Sequence, residues 1–309
     1  LHSFPTRRSS DLHIAITAAG IVALKLAGMD WLDAICHAFS AVALGGFSTH
    51  DASVGHFDST PIELVLTVMM VIASLSFARH FVAMRDLSLR PYRRDPEGKA
   101  IFLILTITVL AVAVGLTVEN HYPSFGESLR HSLFGVVSIA STTGFVSQDY
   151  EKWPIFAPIW LLFLSSILCS TGSTGGGIKM FRTLLLARQA GRELKLLVHP
   201  NAMWPVRIGG KTVPERIGDS VLAFIFLYFM TVVTLTFAML LTGLDFTSSF
   251  SAVIASVNNL GPGLGIVGPS TTFQALTDAQ TWICTIGMLL GRLEIFSVLV
   301  LLTPTFWRK

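Results

Sequence analysis

The chain has 309 residues, 52% of them apolar and 13% charged, with a formal net charge of +3. Soluble domains carry about 25% charged residues, so an ordinary water-facing domain is excluded and the bilayer is the expected solvent. The basic residues gather in particular loops, which removes the case for nucleic-acid binding, and Cys36, Cys169 and Cys284 show neither CxxC nor Cys/His spacing, which removes the case for a disulfide framework or a zinc site.

Residues 1–12, LHSFPTRRSSDL, do not continue the apolar pattern that opens at His13. They resemble a translated sequencing adapter and are set aside as a non-native artefact, so the native chain is expected to extend further upstream. Helices of about 20 apolar residues cross the hydrocarbon core. Six spans are expected: His13–Leu26, Ile62–Ser76 with extension to Ala78, Ala100–Val118, Ile155–Ser170, Val221–Leu241 and Thr281–Phe306. Arginines and lysines crowd the stretches 77–99 and 179–216, from Arg79 to Lys99 and from Lys179 to Arg216. By the positive-inside rule these loops and the terminal Arg308–Lys309 are cytoplasmic, and 27–60, 119–154 and 242–280 face outward.

The outward segments repeat. Gly46-Phe47-Ser48-Thr49-His50-Asp51 matches Gly144-Phe145-Val146-Ser147-Gln148-Asp149, and Pro61-Ile62 and Pro158-Ile159 each open an apolar stretch that reaches an arginine 24 residues on, Arg85 and Arg182. A more divergent third copy runs from Ser256 through Asn258, Asn259 and Leu260 to Gly261 and Gly263. Short amphipathic helices are predicted before each glycine, at Asp30–Val42, Gly126–Ala140 and Phe246–Ser256. The unit is a helix, a re-entrant pore loop and a second helix. Irregular backbone is tolerated at membrane depth only where it is buried in protein or lines a wet cavity.

Backbone carbonyls can replace the water around a monovalent cation if the chain runs extended with its oxygens toward an axis. Glycine permits that geometry, and the C-terminal end of the preceding helix favours positive charge. The candidate ion-binding carbonyls are those of Leu44, Gly45 and Gly46, of Thr142, Thr143 and Gly144, and of Asn259, Leu260 and Gly261. The competing reading of each glycine as a plain helix cap is weakened by its recurrence in three copies. Asp51 and Asp149 either concentrate cations at the outer mouth or cap loop backbone, with capping favoured.

The segments AVALGGFSTHDASVGHFDS, SIASTTGFVSQDYEKWP, STGSTGGGIKMFRTLLLARQ, SVNNLGPGLG and GMLLGRLEIF resemble the Trk/Ktr/HKT potassium transporter superfamily, and its TrkH branch most closely, over His13–Lys309. That resemblance implies an all-α membrane protein of tandem helix–pore-loop–helix repeats around a pseudo-fourfold ion pore, with three of four repeats present. The second repeat is then 13–98, the third 99–217 with a gate loop and a basic cytoplasmic loop, and the fourth 218–309. It implies K⁺ uptake across the bacterial inner membrane, K⁺ as the transported ion held at the filter residues, no organic cofactor, and no enzymatic activity. It further implies a homodimer and a TrkA-type cytosolic nucleotide-binding regulatory subunit on the basic loops, which would equally suit anionic lipid.

Thr171, Gly172, Ser173, Thr174, Gly175, Gly176 and Gly177 resemble the family's intramembrane gate loop; a flexible helix end is the alternative, and a phosphate loop is rejected because the Gly-Lys-Ser/Thr ending is missing. Arg292, in the middle of the last apolar span, resembles the gate arginine, an electrostatic barrier to cations, with an ion pair to Glu294 or another helix as the alternative. A Na⁺-permeable or Ktr-type relative, and an intramembrane enzyme, remain the rival functions.

Overall fold

The computed structural model describes residues 6–293, 295–301 and 303–307; Glu294 and Arg308–Lys309 lie outside them. In chain order the helices are α1 Thr6–Leu26, α2 Trp31–Ala43, α3 Thr60–Ser74, α4 Phe77–Arg85, α5 Arg90–Arg93, α6 Pro96–Val118, α7 Phe125–Ala140, α8 Phe156–Ile167 and α9 Met180–Val198. A small antiparallel hairpin, β1 Arg207–Ile208 with β2 Lys211–Thr212, leads to α10 Glu215–Leu241, α11 Phe246–Val257, α12 Asp278–Arg292, α13 Ile295–Leu301 and α14 Pro304–Trp307. The protein is an all-α membrane protein in which α1–α2–α3, α6–α7–α8 and α10–α11–α12 repeat one plan: an outer helix, a short pore helix and an inner helix.

Local chemistry fixes the starts of these helices. Asp95 Oδ1 accepts from Glu97 N at 2.9 Å ahead of Pro96, and Ser124 accepts from Glu127 N at the start of α7. Thr277 and Gln280 form a reciprocal capping box on α12. The two long helices α6 and α10 are apolar on both sides. On α6, Ile101, Leu105, Val112 and Leu116 are buried, while Leu103, Ile107, Leu110 and Val114 form an exposed stripe. Such continuous exposed apolar faces are what a lipid solvent allows and water does not.

The inner helices depart from expectation. The span expected over Ile62–Ala78 stops at Ser74 and resumes as α4 with a 96° bend, and that expected over Thr281–Phe306 breaks after Arg292, with α13 turned by 107°. The third inner helix, expected over Ile155–Ser170, ends at Ile167 and the chain is non-helical until Met180, a wider interruption than the Thr171–Gly177 loop. At the other end of the chain, α1 runs back to Thr6, through residues set aside from the sequence pattern.

Neighbouring repeats are clamped on the outward side. Arg130 on α7 binds Glu63 on α3 through two parallel contacts, Nε to Oε2 at 2.8 Å and Nη2 to Oε1 at 3.0 Å, and reaches Asp58 at 3.2 Å. Glu151 accepts from Gly265 N at 2.8 Å, and Tyr150 Oη donates to Gly263 O at 3.3 Å, tying the second copy of the plan to the third. Glu63 is 4% exposed, so removing its partner leaves a carboxylate out of water, which costs about 3 kcal/mol. Arg130→Ala is expected to lower the midpoint of denaturant unfolding in detergent accordingly, with Arg130→Lys recovering under half because a single ammonium cannot reproduce the fork; an unchanged midpoint in Arg130→Ala would contradict the clamp.

Candidate functional site

Each pore helix ends in the same way. Leu44 N donates to Ala41 O and Gly45 N to Ser40 O; Thr142 N to Ile139 O and Thr143 N to Ser138 O; Asn259 N to Ser256 O and Leu260 N to Ala255 O. This is the paired hydrogen-bond pattern of a Schellman cap, so the cap reading and the pore-loop reading describe the same residues. The capping residue has left-handed backbone in all three copies, at φ of 53° in Leu44, 60° in Thr142 and 53° in Asn259, and the glycine two positions on is left-handed again, at 68°, 85° and 108° in Gly46, Gly144 and Gly261. A β-branched residue such as Thr142 at positive φ is an outlier. Strain of that kind persists where the surrounding structure over-determines it, characteristically at functional positions.

The loops also touch. A Cβ added at Gly46 would collide with the Thr143 carbonyl oxygen, and one at Gly144 with the Leu260 carbonyl oxygen. The triplets Leu44–Gly46, Thr142–Gly144 and Asn259–Gly261 therefore lie side by side in chain order, each glycine against the middle residue of the next. The arc is open at one side: no atom of the described residues lies within 4 Å of a Cβ at Gly261. Phe145, between two neighbours and stacked on His37 at 5.7 Å, is 1% exposed, whereas its counterpart Phe47 is 80% exposed.

The pore helices bring their carbonyl ends to these loops, and Asp245 caps the opposite end of α11, its carboxyl held below the usual carboxylate range chiefly by the Ser248 amide. Asp149 accepts from Glu151 N at 3.2 Å and pairs with Lys152 at 3.0 Å, as a capping residue does, while Asp51 is exposed.

The interrupted third inner helix runs beneath the arc and touches the C-terminal end of each pore helix. Thr174 Oγ1 donates to Val42 O at 3.1 Å and Gly176 N to Thr142 Oγ1 at 3.0 Å. A Cβ at Gly176 would strike the Asn258 carbonyl oxygen. Arg292 is not in mid-span as expected but is the last residue of α12, where the inner helix turns, and its Nη1 donates to Thr174 O at 3.0 Å. The beginning of the segment is held by the second break: Ser170 N donates to Ser74 O at 3.0 Å and Phe77 N to Gly172 O at 3.2 Å. Glu97, 6% exposed, accepts from Ser170 Oγ at 3.0 Å and Thr171 N at 2.8 Å, with Arg79 at 3.8 Å. Ser173, Gly175 and Gly177 complete the turn, with Ser173 Oγ on Ser170 O at 2.7 Å. A cavity of about 340 Å³ lies below, bounded by Ser173–Gly177, Lys179, Tyr228 and Arg292.

Two partners of this loop were not legible as such. Glu97 reads as an ordinary acidic residue in the first turn of α6, and Asn258 as a loop residue; the latter is fully buried, accepts from Tyr228 Oη at 2.8 Å, and donates to Ser165 and Ser166 at 2.9 and 3.0 Å. A carboxylate at the membrane end of an apolar helix is the signal that could have marked the first.

Repeated pore helices with strained carbonyl turns, over a broken inner helix, define a pore-loop membrane protein. Residues 12–309 match the family model TrkH, described as cation transport protein, and the chain belongs to that family. It is 44% identical over 300 residues to the Trk system potassium uptake protein TrkH of Vibrio parahaemolyticus, covering 96% of this chain and 61% of that protein. It is 42% identical over 298 residues to TrkH of Escherichia coli K12, again 96% of this chain and 61% of that protein, and 38% identical over 293 residues, 94% and 59%, to the TrkG potassium uptake protein of the same strain. The crystal structure of the potassium transporter TrkH from Vibrio parahaemolyticus superposes with a TM-score of 0.91 at 43% identity, over 96% of this chain and 63% of that one. The chain thus spans about three fifths of the length of the relatives it matches.

Close packing, not backbone freedom alone, is what the arc demands of Gly144. Gly243 provides the comparison, since its φ of 88° equals that of Gly144 within a few degrees but a Cβ there meets no atom of the described residues within 4 Å. Gly144→Ala is expected to destabilise by at least about 2 kcal/mol more than Gly243→Ala in thermal or chemical unfolding, because strain and collision add; equal effects would contradict the packed arc.

Proposed function

We propose that this chain is the greater part of a potassium-uptake subunit of a bacterial inner membrane, in which K⁺ sheds water among the carbonyls of Leu44–Gly46, Thr142–Gly144 and Asn259–Gly261 and passes a gate made of Thr171–Gly177 and Arg292. The observation that carries the proposal is the alternation of left-handed residues, repeated three times and packed glycine to carbonyl. Turns of that kind expose successive peptide oxygens, and oxygen dipoles are what a dehydrated monovalent cation requires. The names of the relatives, potassium uptake proteins of Trk systems, agree with it.

The repeats are assigned as 13–98, 99–217 and 218–309. The open side of the arc, between Gly261 and Gly45, is the place for a fourth loop of the same kind from a longer native chain, and Phe47 would then be covered as Phe145 is. Position supports the gate role: the loop touches the ends of all three pore helices at Val42, Thr142 and Asn258, and a guanidinium bound to its Thr174 carbonyl opposes the passage of another cation. The protein moves an ion and performs no covalent chemistry. The basic α4–α5 and α9 segments face the cytosol and receive a TrkA-type nucleotide-binding subunit, with the complete subunit forming a homodimer.

The complete native protein, expressed in a bacterium lacking its own potassium uptake systems, is expected to restore growth at low external K⁺, and Gly144→Asp to abolish that growth while membrane-inserted protein is still detected. Growth rescue that survives Gly144→Asp, or no rescue by the native protein, would overturn the proposal.

A further inference from the structure

Two consecutive gate-loop carbonyls are already occupied by cations that belong to the protein. Arg292 donates to Thr174 O at 3.0 Å, and Lys179 directs its Nζ onto Gly175 O. Together with Arg182 they border the cavity below the candidate filter, whose described walls carry no carboxylate. Two peptide oxygens at the narrow part of the expected ion path thus meet a guanidinium and an ammonium group.

The backbone shows that this placement of Lys179 is enforced. Its φ is +76°, a conformation that costs free energy for any residue bearing a Cβ, although three glycines, Gly175–Gly177, stand just upstream. Hydrogen bonds on both sides hold it there: Ile178 N donates to Ser166 O at 2.6 Å and Met180 N to Cys169 O at 2.7 Å. The strained residue opens α9 and turns its ammonium back onto its own loop. A lysine is a compact charge on a flexible four-carbon stem, able to leave a carbonyl and return without moving the main chain.

We propose that Lys179 is a second tethered cation of the gate: its ammonium occupies the Gly175 carbonyl that a permeating K⁺ would otherwise bind, and opening requires its withdrawal. The proposal rests on the reading of Thr171–Gly177 as the gate. It assigns Lys179 a blocking role beside Arg292 and distinct from it, since the two hold different carbonyls from different repeats.

The test is Rb⁺ flux into liposomes containing the complete native protein, with Lys179→Met, Lys179→Gly, Lys179→Arg and Arg292→Ala in parallel and each checked for monodispersity. Lys179→Met removes the charge and keeps the strain, whereas Lys179→Gly removes both. Both are expected to raise resting flux roughly tenfold, the weight of one charge-assisted hydrogen bond, and Lys179→Arg to stay near the native rate. Should Lys179→Met fail to fold, Lys179→Gly decides alone. Native-like flux in the folded charge-removing variants overturns the proposal; if Arg292→Ala raises flux in the same experiment the gate reading stands without Lys179, and if neither raises it the gate reading falls as well.

Discussion

A peptide group that leaves a helix inside the bilayer must find its hydrogen-bond partner within the protein, because the hydrocarbon offers none. That constraint organises this structure. The chain leaves helical geometry at the ends of three pore helices and in three inner helices, and groups freed at the pore-helix ends and at two of the inner-helix breaks pair with one another. The pore helices close on themselves through paired cap hydrogen bonds, and the break after Ser74 is joined to the break after Ile167 through Ser170 N to Ser74 O and Phe77 N to Gly172 O. The loops that could hold an ion and the segment that could stop it are therefore one hydrogen-bonded body.

Charge is arranged with the same economy. The carbonyl ends of α2, α7 and α11 meet at the arc and favour a cation there, while Arg292 and Lys179 hold carbonyls just beneath it. On the proposed reading, attraction above and repulsion below make a site filled from outside and closed toward the cytosol. Glu97 links the segment beneath the arc to the cytoplasmic side, since it binds Ser170 and Thr171 and lies in the neighbourhood of Arg79 on α4. A conformational change imposed on the basic cytoplasmic helices has a short physical route to the loop.

The pore helices, the glycine turns and the outer helices were legible in the sequence because each repeats or runs apolar for a full membrane thickness. The bends were not. Nothing in Ser74-Leu75-Ser76-Phe77 is a proline or glycine, and the apolar run continues through it; the break exists because the segment 170–172 supplies its partners. Leu44, Thr142 and Asn259 share no chemistry that would announce a left-handed residue, so the regular alternation emerged only from the backbone. Phe47 and Phe145 stand in the same motif yet differ from 80% to 1% exposure, a difference set by neighbours and not by local sequence. Arg292 was recognisable as a charge out of place, but its end-of-helix position and its Thr174 partner depend on the bend after it.

On the proposed reading, the carbonyls beside Gly46, Gly144 and Gly261 converge on one cation. Diffraction from crystals of the complete protein grown in Tl⁺ in place of K⁺ tests it directly, through the anomalous signal of the ion. A peak is expected on the axis of the arc, ligated by oxygens of all three loops and lying above the Thr174 carbonyl. An arc without a peak, or Tl⁺ bound only at side-chain carboxylates elsewhere, would contradict it.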